Sequence, residues 1–193
     1  AVERLDAIVI STDDEEYASV AERAGASVPF LRPAELASDS AAEIEAWRHL
    51  IEYLDSQGER PDILVTFPAT APLRSPADVD AALDLFLASG ADLVVTGTPA
   101  TRNPYFNMVE KVDGRVRQVK ELKTSPTRRQ DAPVVYDMNA SIYIWKRRPL
   151  LVYDTLFTEK TSLYVMPEER SVDIDTELDW EFVKFITGKP SLK

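Results

Sequence analysis

Asp173 and Asp175 are the side chains of this sequence whose type and spacing best suit chemistry. They lie in the run Glu169-Arg170-Ser171-Val172-Asp173-Ile174-Asp175-Thr176-Glu177-Leu178-Asp179-Trp180. They alternate with Val172 and Ile174, the period of a strand with one buried face, which sends both carboxylates out on the same side. Thr176 then reads as a helix N-cap, with Asp179 at the third helical position. Two carboxylates at a strand exit just before a helix make a site for a hard divalent cation, which takes oxygen ligands. The alternative is an exposed acidic edge feeding a capped helix, and spacing alone does not separate the two.

Three further segments place polar groups at predicted strand exits: Ser11–Asp13, Arg32–Asp39 and Thr70–Arg74. Arg32 and Arg74 each sit in a loop beside a strand end, where a planar guanidinium suits a phosphate or carboxylate ligand, or else pairs with a neighbouring acid. Arg128-Arg129-Gln130 lies in a long loop that offers anion contacts or only a solvated surface. Asn139 precedes an apolar strand and is placed for a turn or a ligand contact. His49, the sole histidine, shares a helix with Trp47 and Leu50 and reads as helix surface or core, so no Ser-His-Asp triad is available. Neither G-x-x-x-x-G-K-[ST] nor G-x-G-x-x-G occurs. With six glycines in all, a nucleotide site must use side chains or lie outside this chain.

The elements that must position these groups follow from periodicity. Leu5–Ile10 predicts a short strand, and the Thr12/Glu15 capping-box spacing predicts a helix from about Asp13 to Ala24, stopping at Gly25. Val28–Leu31 predicts a second strand. Ser40-Ala41-Ala42-Glu43 predicts another capping box, leading into the helical stripe Ile44, Trp47, Leu50, Ile51, Leu54. Ile63–Phe67 is a near-continuous apolar strand of the kind found inside parallel sheets. Ser75, Pro76 and Asp78 open a helix that ends near Gly90, and Leu93–Thr96 is a further strand. Alternation at this spacing predicts a doubly wound α/β fold with a mostly parallel sheet, whose strand exits converge on one crevice. Beyond Gly97 the pattern changes. Phe106–Val112 and Arg115–Val119 flank Asp113-Gly114, a hairpin signature. Thr124–Pro133 reads as a loop, Ser141–Trp145 and Ser162–Val165 as strands. Residues 98–135 thus read as an inserted segment in one domain spanning 1–193.

Composition narrows the partners. A net charge of −11 opposes nonspecific binding to nucleic acid or anionic membranes. Basic residues still cluster locally, at Arg115–Arg129 and at Lys146, Arg147, Arg148, either as anion contacts or as solvated faces. No cysteine is present, so thiolate chemistry is excluded, in keeping with a reducing cytoplasm. No run approaches the ~18 apolar residues of a membrane span, and the opening residues do not read as a signal peptide.

In chain order, Ile10-Ser11-Thr12-Asp13, Arg32-Pro33-Ala34-Glu35-Leu36-Ala37-Ser38-Asp39, Pro68-Ala69-Thr70-Ala71-Pro72-Leu73-Arg74, Arg128-Arg129-Gln130, Asn139–Tyr143 and Ser171-Val172-Asp173-Ile174-Asp175-Thr176 resemble the acylneuraminate cytidylyltransferase family. The resemblance covers nearly the whole chain. It implies an α/β nucleotidyltransferase in the cytoplasm that joins CTP to the anomeric hydroxyl of a nonulosonic, sialic-acid-like keto sugar acid and releases pyrophosphate. It implies Mg²⁺ on Asp173 and Asp175. It implies nucleotide contacts from Ser11, Arg32, Asp39 and Ala41, and sugar contacts from Thr70, Arg74, Arg129, Asn139 and Tyr143. It implies a homodimer built on the inserted segment.

The sequence also departs from that family. The family opens with a strand and a basic R-x-x-S-K phosphate loop, and this chain begins beyond them; on that ground the polypeptide as given is expected to turn over poorly or not at all. Phe67 stands where the family usually has Gln. Phe106 stands at a customary lysine, Asp137 at a carboxylate-binding arginine, and Glu43 near a common cytosine-contacting serine. Asp137 against a substrate carboxylate is repulsive unless a cation intervenes, so the acceptor differs from sialic acid or another group such as Arg102 takes over. Two other readings stay open at this point: a non-catalytic homologue, and a sugar-nucleotide-dependent glycosyltransferase using Asp173-Ile174-Asp175 as its metal pair.

Overall fold

The computed structural model describes residues 2–38, 40–124 and 126–188. They form two compact units, one from the described residues of 1–66, 76–94 and 143–162, the other from those of 67–75, 95–142 and 163 onward.

The first unit carries helices α1 (Glu15–Arg23), α2 (Glu43–Ser56), α3 (Pro76–Ser89) and α4 (Arg147–Val152) with strands β1 (Ile63–Thr66) and β6 (Tyr143–Lys146) and the start of β2 (Leu93–Pro99). β6 pairs antiparallel with β1, from Ile63 opposite Lys146 to Thr66 opposite Tyr143, and with β2 at Leu93–Trp145 and Val94–Ile144. The expectation of a mostly parallel sheet therefore fails at β6. Because β6 is antiparallel to both neighbours, β1 and β2 run the same way, with α3 as the crossover that a parallel connection needs. The core is apolar and aromatic: Ile51, Ile144, Trp145 and Leu150 are fully buried, and Trp47 stacks obliquely on Tyr143 at 5.1 Å.

Near the N-terminus, the predicted strands Leu5–Ile10 and Val28–Leu31 reduce to two isolated parallel bridges, Val9–Ser27 and Thr12–Leu31. Ile8 and Leu31 remain exposed, so these segments lack the buried face that would extend the ladder. The caps move as well. Asp14 caps α1, accepting from Glu16 N at 2.7 Å and Tyr17 N at 3.0 Å, while Thr12 Oγ1 accepts from Asp14 N at 3.2 Å. Ala42 precedes α2 with no side-chain cap, so the Ser40 capping box does not form.

In the second unit, β5 (Tyr136–Met138) pairs antiparallel with β2, Gly97 opposite Met138. β3 (Val109–Val112) and β4 (Arg115–Gln118) make the predicted hairpin, turning through left-handed Asp113 (φ 50°) and Gly114 (φ 78°), as a tight two-residue hairpin turn requires. β7 (Thr161–Val165) leads into the loop before α5 (Glu177–Thr187). Gly97 is required by space. A Cβ there falls 2.7 Å from the Asp137 carbonyl oxygen and 3.2 Å from Leu163 Cδ1. Gly97→Ala should cost about 1–3 kcal/mol through forced strand separation, read as a lower denaturant midpoint with an unchanged slope.

Candidate functional site

In the second unit, Val172–Asp175 is not a ladder strand. It is an irregular segment attached by one backbone bond, Ile174 N to Thr70 O at 2.8 Å. The strand expectation is thus corrected. The apolar alternation still half-buries Val172, Asp173 and Ile174, while Asp175 is exposed. Asp173 Oδ1 is enclosed without a hydrogen-bond partner. An enclosed carboxylate oxygen with no donor is costly unless something outside the chain satisfies it.

The helix that follows matches the sequence reading. Thr176 and Asp179 form a full capping box. Asp179 Oδ2 accepts from Thr176 N at 2.8 Å, Thr176 Oγ1 at 2.7 Å and Asp175 N at 3.2 Å. These bonds, those from Thr176 first, hold the Asp179 carboxyl below its ordinary value of 3.8. Asp179 thereby also fixes the backbone of Asp175.

Thr70, Arg74 and Asn139 are joined to this segment by one hydrogen-bond network. Arg74 donates to three carbonyls, Ser141 O (3.2 Å), Ala71 O (2.7 Å) and Pro68 O, with its guanidinium 5.4 Å from the Phe67 ring centre. Burial lowers the Arg74 pKa from its ordinary value. Asn139 is 3% exposed. Its Oδ1 accepts from Thr96 Oγ1 at 2.7 Å and Ser141 N at 3.3 Å, and its Nδ2 donates to Ser171 Oγ at 2.9 Å. Both residues were expected beside a sugar, yet their polar atoms are turned onto the protein. Thr70 is exposed, its carbonyl engaged by Ile174. Arg129 is exposed and donates to Ala100 O at 2.9 Å, and neighbouring Arg128 pairs with Asp131.

In the first unit, Arg32 and Ser11 come together. The Arg32 guanidinium donates to Ser11 O, and Arg32 N donates to Thr12 O at 2.7 Å. Arg32 Nε and Ser11 Oγ are both enclosed without partners, so two donors remain for a ligand's acceptors. Ala41 N donates to Ser38 O at 2.9 Å; Asp39 lies outside the described residues. Tyr143 is 5% exposed and belongs to the core against Trp47, not to an open surface. His49 packs edge-on against Phe30 at 4.7 Å. A hollow of about 780 Å³ in this unit includes Asp92, Lys146 and Arg147 in its lining but none of the predicted site residues. Lys146 is paired with Asp92 and Arg147 with Asp55, so it offers no unpaired charge from these groups.

Sequence reasoning missed Thr96, Ser141 and Ser171 as partners of Asn139. Nothing in their local pattern announces them. Among the described residues no group of three or more His, Cys, Asp or Glu could hold a metal. Mg²⁺ nonetheless fits a pair of carboxylates, because it commonly takes one or two from protein and the rest from water and substrate phosphate. The partnerless Asp173 Oδ1 supports that fit. No helix among the described residues is long and apolar enough to cross a membrane.

The fold is that of nucleotidyltransferases. The solved CMP:2-keto-3-deoxy-manno-octonic acid synthetase complexed with CTP superposes with a TM-score of 0.62 at 15% identity, over 96% of this chain and 82% of that one. A 4-diphosphocytidyl-2C-methyl-D-erythritol synthase superposes with a TM-score of 0.63 at 12% identity, over 96% and 84%. At that identity the likeness establishes the fold alone. The family follows from sequence: residues 1–185 match the family described as "Cytidylyltransferase", and the chain belongs to it. It is 45% identical to "Post-translational flagellin modification protein B" of Campylobacter coli over 96% of this chain and 79% of that protein. It is 43% identical to the "CMP-N,N'-diacetyllegionaminic acid synthase" of Campylobacter jejuni over 96% and 78%. The protein is a nucleotidyltransferase enzyme.

Proposed function

We propose that the enzyme transfers CMP from CTP to the anomeric hydroxyl of a nonulosonic acid of the legionaminic type, with release of pyrophosphate, as a cytoplasmic homodimer. The observation that carries the reading is the 43% identity, over nearly the whole chain, to a relative named for CMP-diacetyllegionaminic acid synthesis. Relatives named for pseudaminic acid and for N-acylneuraminate stand at 31% and 29% identity, and a second relative named for CMP-diacetyllegionaminic acid synthesis at 29%. The departures at Phe67, Phe106 and Asp137 agree with an acceptor other than sialic acid.

Asp173 and Asp175 would hold Mg²⁺ through their carboxylates. Mg²⁺ at that pair would supply charge neutralisation for phosphoryl transfer. The chain's own part is positioning. Asp179 and Thr176 fix the Asp175 backbone, the Thr70 carbonyl fixes Ile174, and the free donors of Arg32 and Ser11 suit acceptor atoms of the nucleotide. The exposed hairpin valines Val109 and Val116 suit a subunit contact within residues 98–135.

The test is incubation of the full-length protein with CTP, Mg²⁺ and a panel of nonulosonic acids, following pyrophosphate. Release is expected to be fastest with a diacetyllegionaminic acid. Release dependent on another sugar acid corrects the acceptor. No release with any acceptor from a folded protein overturns the reading in favour of a non-catalytic homologue.

A further inference from the structure

We infer that Asn139 and Ser171 are positioning residues for the acidic pair, forming a hydrogen-bonded strut that sets where Asp173 presents its carboxylate to the cation. The inference rests on the reading of Asp173 and Asp175 as cation ligands.

Asp173 Oδ1 has no protein partner, so its direction must come from the backbone that carries it. That backbone is held on both sides. Two residues before, Ser171 Oγ accepts from Asn139 Nδ2 at 2.9 Å and donates to Pro167 O at 2.7 Å, which uses the hydroxyl in both senses. One residue after, Ile174 N donates to Thr70 O at 2.8 Å. Asn139 is itself immobilised: Oδ1 takes Thr96 Oγ1 at 2.7 Å and Ser141 N at 3.3 Å, and Nδ2 also meets Met166 Sδ at 3.3 Å. The next residue, Ala140, is left-handed with φ 45°, a conformation that a residue with a Cβ keeps only when its surroundings impose it. Only a side chain with a donor and an acceptor on one planar head makes these bonds together. Aspartate has the shape but lacks the donor that reaches Ser171. Such outer-shell bonds orient metal ligands without touching the metal.

The experiment measures Mn²⁺ binding by electron paramagnetic resonance in the full-length protein and in Asn139→Asp, Ser171→Ala, Ser171→Thr and Asp173→Asn. Thermal unfolding is followed in parallel. Asn139→Asp and Ser171→Ala should weaken Mn²⁺ binding by about 10–100-fold, and Ser171→Thr, which keeps the hydroxyl, should restore it to near the wild-type level. If Asn139→Asp fails to fold, Ser171→Ala decides, because it removes a single oxygen. Wild-type affinity in a folded Ser171→Ala overturns the strut while leaving the cation site intact, provided Asp173→Asn has lost binding. Equal binding by Asp173→Asn and wild type, or none by wild type, overturns the cation reading and the strut with it.

Discussion

Asp175→Asn should reduce CMP transfer by about 100-fold or more in the full-length enzyme while leaving its thermal midpoint nearly unchanged. The expected size follows from the chemistry. A catalytic cation contributes several kcal/mol of charge stabilisation, which loss of a charged ligand forfeits in large part, and each 1.36 kcal/mol is about tenfold in rate. Asparagine keeps the shape but not the charge that a hard cation requires. The small structural effect follows from exposure. Asp175 is solvent-facing, and the hydrogen bond that fixes it comes from its backbone N–H to Asp179 Oδ2 at 3.2 Å, which the substitution retains. Raising Mg²⁺ should recover part of the lost rate if the defect is affinity. The measurement is steady-state pyrophosphate release across a Mg²⁺ titration. Normal turnover with the normal Mg²⁺ dependence would remove Asp175 from the site.

The parts of this molecule governed by local rules were legible in the sequence. The capping box at Thr176 and Asp179, Pro76 opening α3 and the Asp113-Gly114 hairpin all depend on neighbours within a few residues, and all are present. The α/β class followed from alternation of apolar runs with helical stripes. What failed depends on distant partners. Thr12, Asp13 and Asp14 are all acceptable caps, and the choice of Asp14 follows from Thr12 engaging the Asp14 N–H in a local turn. The direction of β6 is set by its pairing with β1 and β2, whose partners lie dozens of residues away, outside any local window of sequence. Val172–Asp175 has the period of a strand, but among the described residues it has one backbone bond to a neighbour, Ile174 N to Thr70 O, and a strand needs a ladder. At the site, Asp173, Arg32 and Ser11, read from the resemblance as metal and nucleotide contacts, each carry an enclosed atom without a protein partner. The protein partners of Arg74 and Asn139 and the burial of Tyr143 were not legible, because an arginine, an amide or a phenol in a loop or strand end looks the same whether it meets a ligand or the protein.

Arg74 gives the sharpest way to separate those two roles. Arg74→Met keeps most of the apolar stem but removes every donor. The carbonyls of Pro68, Ala71 and Ser141 then lose a charged partner, and Ser141 is fully buried, so water cannot readily replace it. Hydrogen bonds to charged groups contribute about 1.5–3 kcal/mol each and are not additive; a net loss of about 2–4 kcal/mol is expected. Burial lowers the Arg74 pKa, but a guanidinium stays protonated throughout the working range, so the loss should not vary between pH 6 and 9. Arg74→Lys should recover little, since a single ammonium on a flexible stem cannot span carbonyls that a planar fork reaches together. The loop 67–75 also carries Thr70, whose carbonyl holds Ile174 beside the acidic pair. The turnover number should therefore fall along with stability. Denaturant unfolding and steady-state kinetics on the same preparations distinguish the alternatives. A stable Arg74→Met enzyme with a raised KM for the sugar acid and an unchanged turnover number would make Arg74 a substrate contact after all. A destabilised enzyme with a lowered turnover number makes it the brace that the three carbonyls describe.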